Sequence, residues 1–143
     1  CAIASSFMLS ADNAHAVHPH IPQKTDATNC VYMNEGIVVK SHAGQKYKSD
    51  AVIIAVFKDL CKKANVPVQF FSNRSYEAGG STLVNIAMAQ VSMNSVDIGL
   101  PQLAMHSTYE TAGIKDTYYM IQVMTEFFNC HISEVNSHSL KVD

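Results

Sequence analysis

The sequence predicts an α/β fold in which a mostly parallel sheet is flanked by helices. Short apolar segments rich in β-branched residues alternate along the chain with segments whose apolar residues recur every three or four positions. The strand-like segments are apolar nearly throughout, which is typical of strands covered on both faces. With 143 residues, of which 48% are hydrophobic, the chain fits one domain or part of one.

The first part of the chain is predicted to hold two strands joined by a long loop. The segment SSFMLSA, Ser5 to Ala11, forms the first predicted strand, and the β-branched segment GIVVK, Gly36 to Lys40, forms the second. Between them, the residues from Asp12 to Asn34 are mostly polar and include prolines, which predicts a loop. Loops of this length in compact domains are usually functional.

An amphipathic helix and a third strand come next. Ser49 or Asp50 is suited to cap the helix, and Lys62 and Lys63 place cations in its last turn, where the helix dipole favours them. The segment VPVQFF, Val66 to Phe71, predicts the third strand. The predicted inward stripe of the helix consists of Val52, Ile53, Val56, Phe57, Leu60 and Cys61.

Two further helices and a fourth strand complete the alternation. The segment GGSTLVNIAMAQ predicts a glycine turn that opens a helix, and SVDIGL, Ser95 to Leu100, predicts the fourth strand. A last helix is expected from Asp116 to Phe128. The side chains that this helix should bury are Met120, Val123, Met124 and Phe127.

Composition excludes several partners and settings. A net charge of -2 with scattered lysines leaves no basic surface for nucleic acid. There is no apolar run of membrane-spanning length and no charged segment of a signal peptide, so no membrane partner is expected. Four widely separated cysteines, without a C-x-x-C pair, favour reduced thiols and a cytoplasmic location. Because the chain opens without Met, directly into an apolar segment, we hypothesise a fragment or a processed product.

Four polar groups follow the ends of the predicted strands. They are Asp12, Lys40, the turn Gly79–Ser81 and His106. Ligands of open α/β sheets gather beyond the carboxyl ends of the strands, so these groups are expected to converge at one edge. Spacing alone leaves simpler roles open, because Asp12 could cap a turn and His106 could be a hydrogen-bonded, partly buried histidine. The spacing D-x-x-H-x-x-H is also not an established zinc motif.

Four motifs resemble, in the same order, those of one enzyme family. SADNAHAVHP matches S-A-D-x-A-H-A-x-H-P, and VVKSHAGQKY matches a strand ending in Lys that is followed by Q-[RK]-Y. NRSYEAGGST matches a glycine-containing turn before a helix, and VDIGLPQLAMHSTYETAG matches D-x-G-x-x-Q-L-x-M-H-S-x-x-E. These blocks cover nearly the whole chain. The sequence therefore resembles the M18 family of metalloaminopeptidases, in particular the aspartyl aminopeptidase group.

The resemblance implies a two-zinc aminopeptidase that removes N-terminal residues, with a preference for Asp or Glu, from peptide substrates. It implies an α/β catalytic domain, a second domain inserted earlier in the chain, and assembly into a homo-oligomer, a dodecamer. Residues 1–143 would form the C-terminal segment of the catalytic domain, without the upstream catalytic segment and the inserted domain. The closing segment SHSLKVD looks like the natural C-terminus of the family.

The resemblance also assigns expected roles to single residues. Asp12 matches the carboxylate ligand of one zinc ion, and His106 matches the imidazole ligand of the other. Two histidines match positions beside the site, where they would bind substrate or orient a ligand, and a lysine and a tyrosine match residues that face the acidic side chain of the substrate. This substrate-facing set is His15, His18, Lys40 and Tyr47.

The resemblance also implies that part of the active site lies upstream. The other histidine ligand, the bridging aspartate and the Glu-Glu pair of ligand and general base have no match in the chain, so the isolated segment is predicted to be catalytically incomplete. Tyr76 replaces a usual aspartate and Val84 a common glycine, which puts the substrate preference in question. The alternative is a non-catalytic α/β interaction or scaffolding module, which an upstream region lacking the Glu-Glu pair would favour.

Overall fold

A computed structural model describes residues 3, 6–41, 51–72, 83–91, 93–136 and 139–143. Nine strands and three helices lie in these ranges, together with a short 3-10 helix at Pro22–Lys24. In chain order they are β1 (Phe7–Ala11), β2 (Ala14–His15), β3 (Ile37–Ser41), α1 (Ala51–Lys63), β4 (Val68–Ser72), α2 (Leu83–Gln90), β5 (Asn94–Gly99), β6 (Pro101–Leu103), β7 (Thr111–Ala112), α3 (Ile114–Asn129), β8 (Ile132–Asn136) and β9 (Ser139–Val142).

The main sheet has four strands in the order β1-β5-β3-β4. β1 pairs parallel with β5, and β3 pairs parallel with β4, while β3 runs antiparallel to β5 where the two pairs meet. Two of the three pairings in this sheet are therefore parallel, and the predicted α/β class is confirmed. The expectation that all four strands end at one edge is wrong, because β3 and β4 run in the opposite direction to β1 and β5.

The four predicted strands correspond, in chain order, to β1, β3, β4 and β5, with ends displaced by at most two residues. The stretch predicted as one loop, Asp12 to Asn34, also contains β2 and the 3-10 helix, so that prediction is wrong in part. β2 joins β6 and β7 in a second sheet, and β8 and β9 form a third. Strands of two or three residues are too short to show the alternation from which strands are predicted.

One face of the main sheet is apolar and carries the principal core. Ile37 and Val39 of β3 and Val96 and Ile98 of β5 are buried there, together with side chains of α1 and α3. Since successive strand residues point to opposite faces, the neighbouring residues lie on the other face. The residues buried on that second face include Val38, Lys40, Ser95 and Asp97. The second face is therefore a buried layer with polar groups in it.

The predicted inward stripe of α1 is confirmed. Ile53, Val56, Phe57, Leu60 and Cys61 are buried, and Val52 is half-buried. Burial raises the pKa of the Cys61 thiol to about 12. The described cysteines, Cys30, Cys61 and Cys130, are free thiols. The proposed caps, Ser49 and Asp50, lie outside the described residues.

The last helix, α3, extends beyond its predicted range at both ends. Val123 is completely buried, as predicted, whereas Met120, Met124 and Phe127 are only half-buried. The opposite side of the helix leaves several large apolar side chains exposed, namely Ile114, Tyr118, Ile121 and Phe128. In the part of the chain that the structure describes, no helix has the length and apolar character that a membrane crossing requires.

A buried carboxylate joins α3 to the turn that precedes β3. Asp116 is completely buried, and its two oxygens accept the N–H groups of Asn34 at 2.5 Å and Gly36 at 3.0 Å. The Asn34 side chain in turn accepts the N–H of Lys115 at 3.0 Å. Asn34 and Gly36 both have positive φ angles, 65° and 119°. The carboxylate thus fixes the start of β3, the strand that carries Lys40.

We expect Asp116→Ala to destabilise the protein by about 2–3 kcal/mol, because the buried N–H of Gly36 and the partly buried N–H of Asn34 lose their carboxylate acceptor. Urea-induced unfolding measures this as a lower transition midpoint. Asp59→Ala is a matched control, since Asp59 is half-exposed and lies 3.9 Å from Lys63 within one helix. Asp59→Ala should lower the free energy of unfolding by no more than about 0.5 kcal/mol. Equal effects of the two variants would contradict a structural role for Asp116.

Candidate metal and substrate site

Asp12 lies where the chain passes from the main sheet into the second sheet. A regular ladder holds this segment in place, in which the N–H groups of Asp12, Ala14 and Ala16 donate to the carbonyl oxygens of Ile98, Leu100 and Gln102, each at 2.9 Å. The side chain of Asp12 nevertheless remains 59% exposed. The backbone is therefore fixed by the sheets while the carboxylate stays accessible.

Gly99 allows this close approach of the two chain segments. A Cβ atom at position 99 would lie 2.0 Å from the carbonyl oxygen of Asp12 and 3.0 Å from the Cα of Asn13. Both obstacles are backbone atoms that the surrounding ladder holds, so neither can move aside easily. Glycine is therefore required at position 99 for Asp12 to occupy its place.

Asp12 forms an ion pair with Lys40. Lys40 Nζ lies 3.4 Å from Asp12 Oδ2, and only 3% of the lysine side chain is exposed. The register puts Ala11, Ile98 and Val39 in one row across three strands, so Asp12 and Lys40 follow that row in opposite directions. The long side chain of Lys40 therefore reaches across to Asp12, and the two residues do not lie at the same end of the strands.

His15 and His106 lie near the same ion pair. His15 pairs with Gln102 in β2 and β6, and His106 lies in the turn that follows β6. His15 is exposed by surface area, but partial burial of its ring lowers its pKa, and the charges of His106 and Lys40 lower it further. These effects link His15 to the other groups. Asp12, His15, Lys40 and His106 are therefore brought to one region.

The turn that bears His106 has an unusual backbone. Ala104 and His106 have φ angles of 54° and 67°, in the left-handed region that side chains other than glycine rarely adopt. The N–H of Ser107 donates to the carbonyl of Ala104 at 3.0 Å. The N–H of His106 donates to Oε1 of Glu110 at 2.7 Å. Such conformations persist where the surrounding structure enforces them, and they cluster at functional sites.

The other predicted site residues are placed less fully. His18 is exposed, its Nδ1 accepts the N–H of His20 at 3.2 Å, and the two rings lie 5.9 Å apart. Tyr47 and the turn Gly79–Ser81 lie outside the described residues. The described contacts therefore place His18 in a turn next to His20. The predicted role of Tyr47 stays a prediction.

The donor atoms fit zinc, but the described set is incomplete. Carboxylate oxygen and imidazole nitrogen are both common zinc ligands, and Asp12 and His106 are both exposed. Among the described residues, no group of three or more His, Cys, Asp or Glu side chains could hold a metal ion. A catalytic zinc ion takes about three protein ligands, so Asp12 and His106 can supply only part of a site.

Two buried polar residues of this region were not predicted as site residues. Gln102 is 4% exposed, and its Oε1 accepts the side-chain N–H of Asn13 at 2.6 Å. Asp97 is completely buried in β5 and points to the same sheet face as Lys40. Both Gln102 and Asp97 belong to the quoted motif VDIGLPQLAMHS. Their position in that motif could have marked them as candidate site residues, but the motif does not reveal that their side chains are buried.

Solved structures with a similar fold include aminopeptidases. The Ape4 and Nbr1 complex matches with a TM-score of 0.86 and 36% identity, over 88% of this chain and 24% of that one. The S. cerevisiae mApe1 dodecamer gives 0.78 and 26%, over 89% and 27%. Aminopeptidase I from Clostridium acetobutylicum gives 0.73 and 26%, over 84% and 27%.

The chain belongs to the M18 family. The family model "Aminopeptidase I zinc metalloprotease (M18)" matches residues 1–128. A "Probable M18 family aminopeptidase 2" of Clostridium novyi is 50% identical over 128 residues, and that of Clostridium acetobutylicum is 46% identical over the same length. Each alignment covers 90% of this chain and 30% of the relative. The chain thus spans less than a third of the length of these relatives.

We expect Gly99→Ala to destabilise the protein by about 2 kcal/mol or more, because the added methyl group would overlap a fixed backbone carbonyl. The variant should also displace Asp12 from Lys40. Urea unfolding measures the first effect, and the chemical shifts of the Asp12 and Lys40 side chains measure the second. The exposed strand residue Thr111, changed to Ala, is the control and should stay within about 0.5 kcal/mol. Wild-type stability of Gly99→Ala would contradict this reading of the close approach.

Proposed function

We propose that the protein containing this chain is a two-zinc aminopeptidase that removes acidic N-terminal residues from peptides. Residues 1–143 would be the C-terminal segment of its catalytic domain, and a homo-oligomer, a dodecamer, its assembled form. The observation that carries the proposal is the ion pair between the exposed carboxylate of Asp12 and the buried ammonium of Lys40. His15 and His106 add two imidazoles to the same region.

Asp12 and His106 would each supply one ligand to the metal pair. Zinc, when bound, polarises a scissile carbonyl and lowers the pKa of a coordinated water towards about 7. Asp12 suits the ligand role because the ladder and Gly99 fix its backbone while its carboxylate remains exposed. The remaining ligands and the general base would come from the upstream segment.

Lys40 would select the acidic side chain of the substrate. Its ammonium group lies 3.4 Å from Oδ2 of Asp12 and carries the charge opposite to that of an acidic side chain. In a poorly hydrated site, a charged hydrogen bond to a substrate carboxylate is stronger than in water. Tyr47 would hold the same carboxylate, as the family resemblance implies. The preference for Asp or Glu therefore depends chiefly on Lys40.

His15 would contact the substrate as a neutral imidazole. Its pKa is lowered first by burial and then by the charges of His106 and Lys40, so the uncharged form is favoured at neutral pH. A neutral imidazole has one donor and one acceptor nitrogen. It can therefore hydrogen-bond a substrate without adding a positive charge beside the metal ligands. His18 would lie at the rim, on the turn that it shares with His20.

Assembly is supported by the relatives and by the surface of α3. One similar structure is the mApe1 dodecamer. Ile114, Tyr118, Ile121 and Phe128 expose apolar area on one helix, and contiguous apolar surface of this kind is usually covered by other protein. The upstream segment and neighbouring subunits are the proposed cover. The cytoplasmic location remains a prediction from cysteine usage.

We expect Asp12→Ala in the full-length protein to lower the zinc content and to reduce kcat. Loss of a residue that only hydrogen-bonds a metal ligand typically reduces activity by about 10–100-fold, and loss of the ligand itself should reduce kcat by more than that. Zinc is measured by elemental analysis and activity with an aspartyl peptide. Asp59→Ala removes the same charge at a distant helix surface and should leave both unchanged. Unchanged zinc stoichiometry in Asp12→Ala would remove Asp12 from the metal site, and activity of residues 1–143 alone would contradict catalytic incompleteness.

We expect Lys40→Ala to reduce kcat/KM for an N-terminal Asp substrate by about 10–100-fold more than for the matching Asn or Ala substrate, because a charged hydrogen bond is lost only with the acidic one. Paired assays of the substrates measure this ratio. The control Lys141→Ala removes an exposed lysine paired with Asp143 and should leave the ratio unchanged. An equal loss on both substrates would indicate that Lys40 serves the structure alone.

A further inference from the structure

The turn from Ala104 to Glu110 joins β6 to β7 and contains His106. Its backbone has a conformation that the residues of the turn do not favour. Ala104 and His106 are not glycines, yet both have positive φ angles, 54° and 67°. Left-handed backbone brings Cβ close to the neighbouring carbonyl oxygen, so it is costly for any residue with a side chain. Something outside the two residues must therefore stabilise the turn.

The strongest described contact across this turn is a charged one. Oε1 of Glu110 accepts the backbone N–H of His106 at 2.7 Å. A carboxylate on a backbone N–H forms a shorter and stronger hydrogen bond than a neutral acceptor. Two neutral bonds, from Ser107 N–H to Ala104 O and from Tyr109 N–H to Ser107 Oγ, complete the turn. The Glu110 carboxylate thus binds the backbone of His106, the residue whose imidazole is the proposed zinc ligand.

We propose that Glu110 is a positioning residue for His106. Its carboxylate holds the His106 backbone in the left-handed conformation, and this sets the direction in which the imidazole leaves the turn. The inference rests on the proposed role of His106 as a zinc ligand. Glu110 itself acts through a backbone amide and is not proposed as a ligand.

The residue that follows Glu110 strengthens this assignment. Thr111 pairs with Leu103 at the start of the β6–β7 ladder, so the chain is anchored immediately after the glutamate. The carboxylate therefore extends from a fixed backbone position back to the His106 amide. A side chain held at its base restricts the group that it binds more than a side chain on a freely moving segment does.

The first test uses the metal-free full-length protein, with hydrogen exchange of the His106 amide as the readout. Glu110→Ala should accelerate exchange of that amide by about tenfold or more, because opening of the turn no longer breaks a charged bond. Glu110→Gln keeps an oxygen acceptor and should change the rate less. Glu35→Ala, which removes an exposed carboxylate elsewhere, should have no effect. Unchanged exchange in Glu110→Ala would overturn the proposal.

The second test is titration of the full-length protein with Zn²⁺ alone. Glu110→Ala should weaken the affinity of the His106-dependent site by about 10–100-fold, and Glu110→Gln should retain most of it. In a His106→Ala background, Glu110→Ala should cause no further loss, because it acts through His106. A Gln variant as weak as the Ala variant, or an additional loss in that background, would overturn the positioning role.

The two proposals fail in different ways. A wild-type protein that binds no Zn²⁺ would refute the proposed function, whereas the exchange rate of the His106 amide would still report on the contact with Glu110. A wild-type protein that binds two zinc ions, with unchanged affinity in Glu110→Ala, would refute the positioning role alone. Thermal unfolding of each variant separates these results from global destabilisation, which would affect both zinc sites equally.

Discussion

The buried ammonium of Lys40 imposes the constraint on which the site depends. A cation with 3% of its side chain exposed cannot remain in a sheet without a charged or strongly polar partner, because the loss of hydration is too costly. Asp12 meets that requirement from two strands away. The pair forms although β3 runs antiparallel to β5, which sets Lys40 and Asp12 on opposite sides of one strand row, because the long lysine side chain spans the distance between them. The reach of the lysine side chain, rather than a shared strand end, thus brings the two charges together.

The two faces of the main sheet have different roles, one in stability and one in the proposed chemistry. On one face, Ile37, Val39, Val96 and Ile98 pack against α1 and α3 and supply the apolar burial that stabilises the fold. On the other face, Lys40 and its buried polar neighbours reduce that contribution but provide charged groups beside the ladder that fixes Asp12. Because alternate residues of one strand serve the two faces, a shift in register by one residue would place Lys40 in the apolar core. Register is therefore under strong constraint in β3.

Much of the fold could be predicted because its main strands and helices are long enough to show a period. The stripe of α1 and the cores of β3 and β5 follow directly from runs of apolar residues. Strand direction could not be predicted, since periodicity is the same in either direction, and this is why the expected meeting of strand ends was wrong. Asp12 and Lys40 were correctly expected to converge, although for a different reason. Glu110 was missed as a site residue because its contact depends on the left-handed backbone of His106.

The two proposed zinc ligands are held by different physical means. The position of Asp12 depends on backbone hydrogen bonds and on the absence of a side chain at Gly99. His106 lies on a strained turn whose conformation depends on the side chain of Glu110. If both residues bind zinc as proposed, Asp12 is held by the main chain, whereas the position of His106 depends on a side chain. Substitutions in the turn can therefore alter the geometry at His106 while the sheet, and with it Asp12 and Lys40, remains as it is.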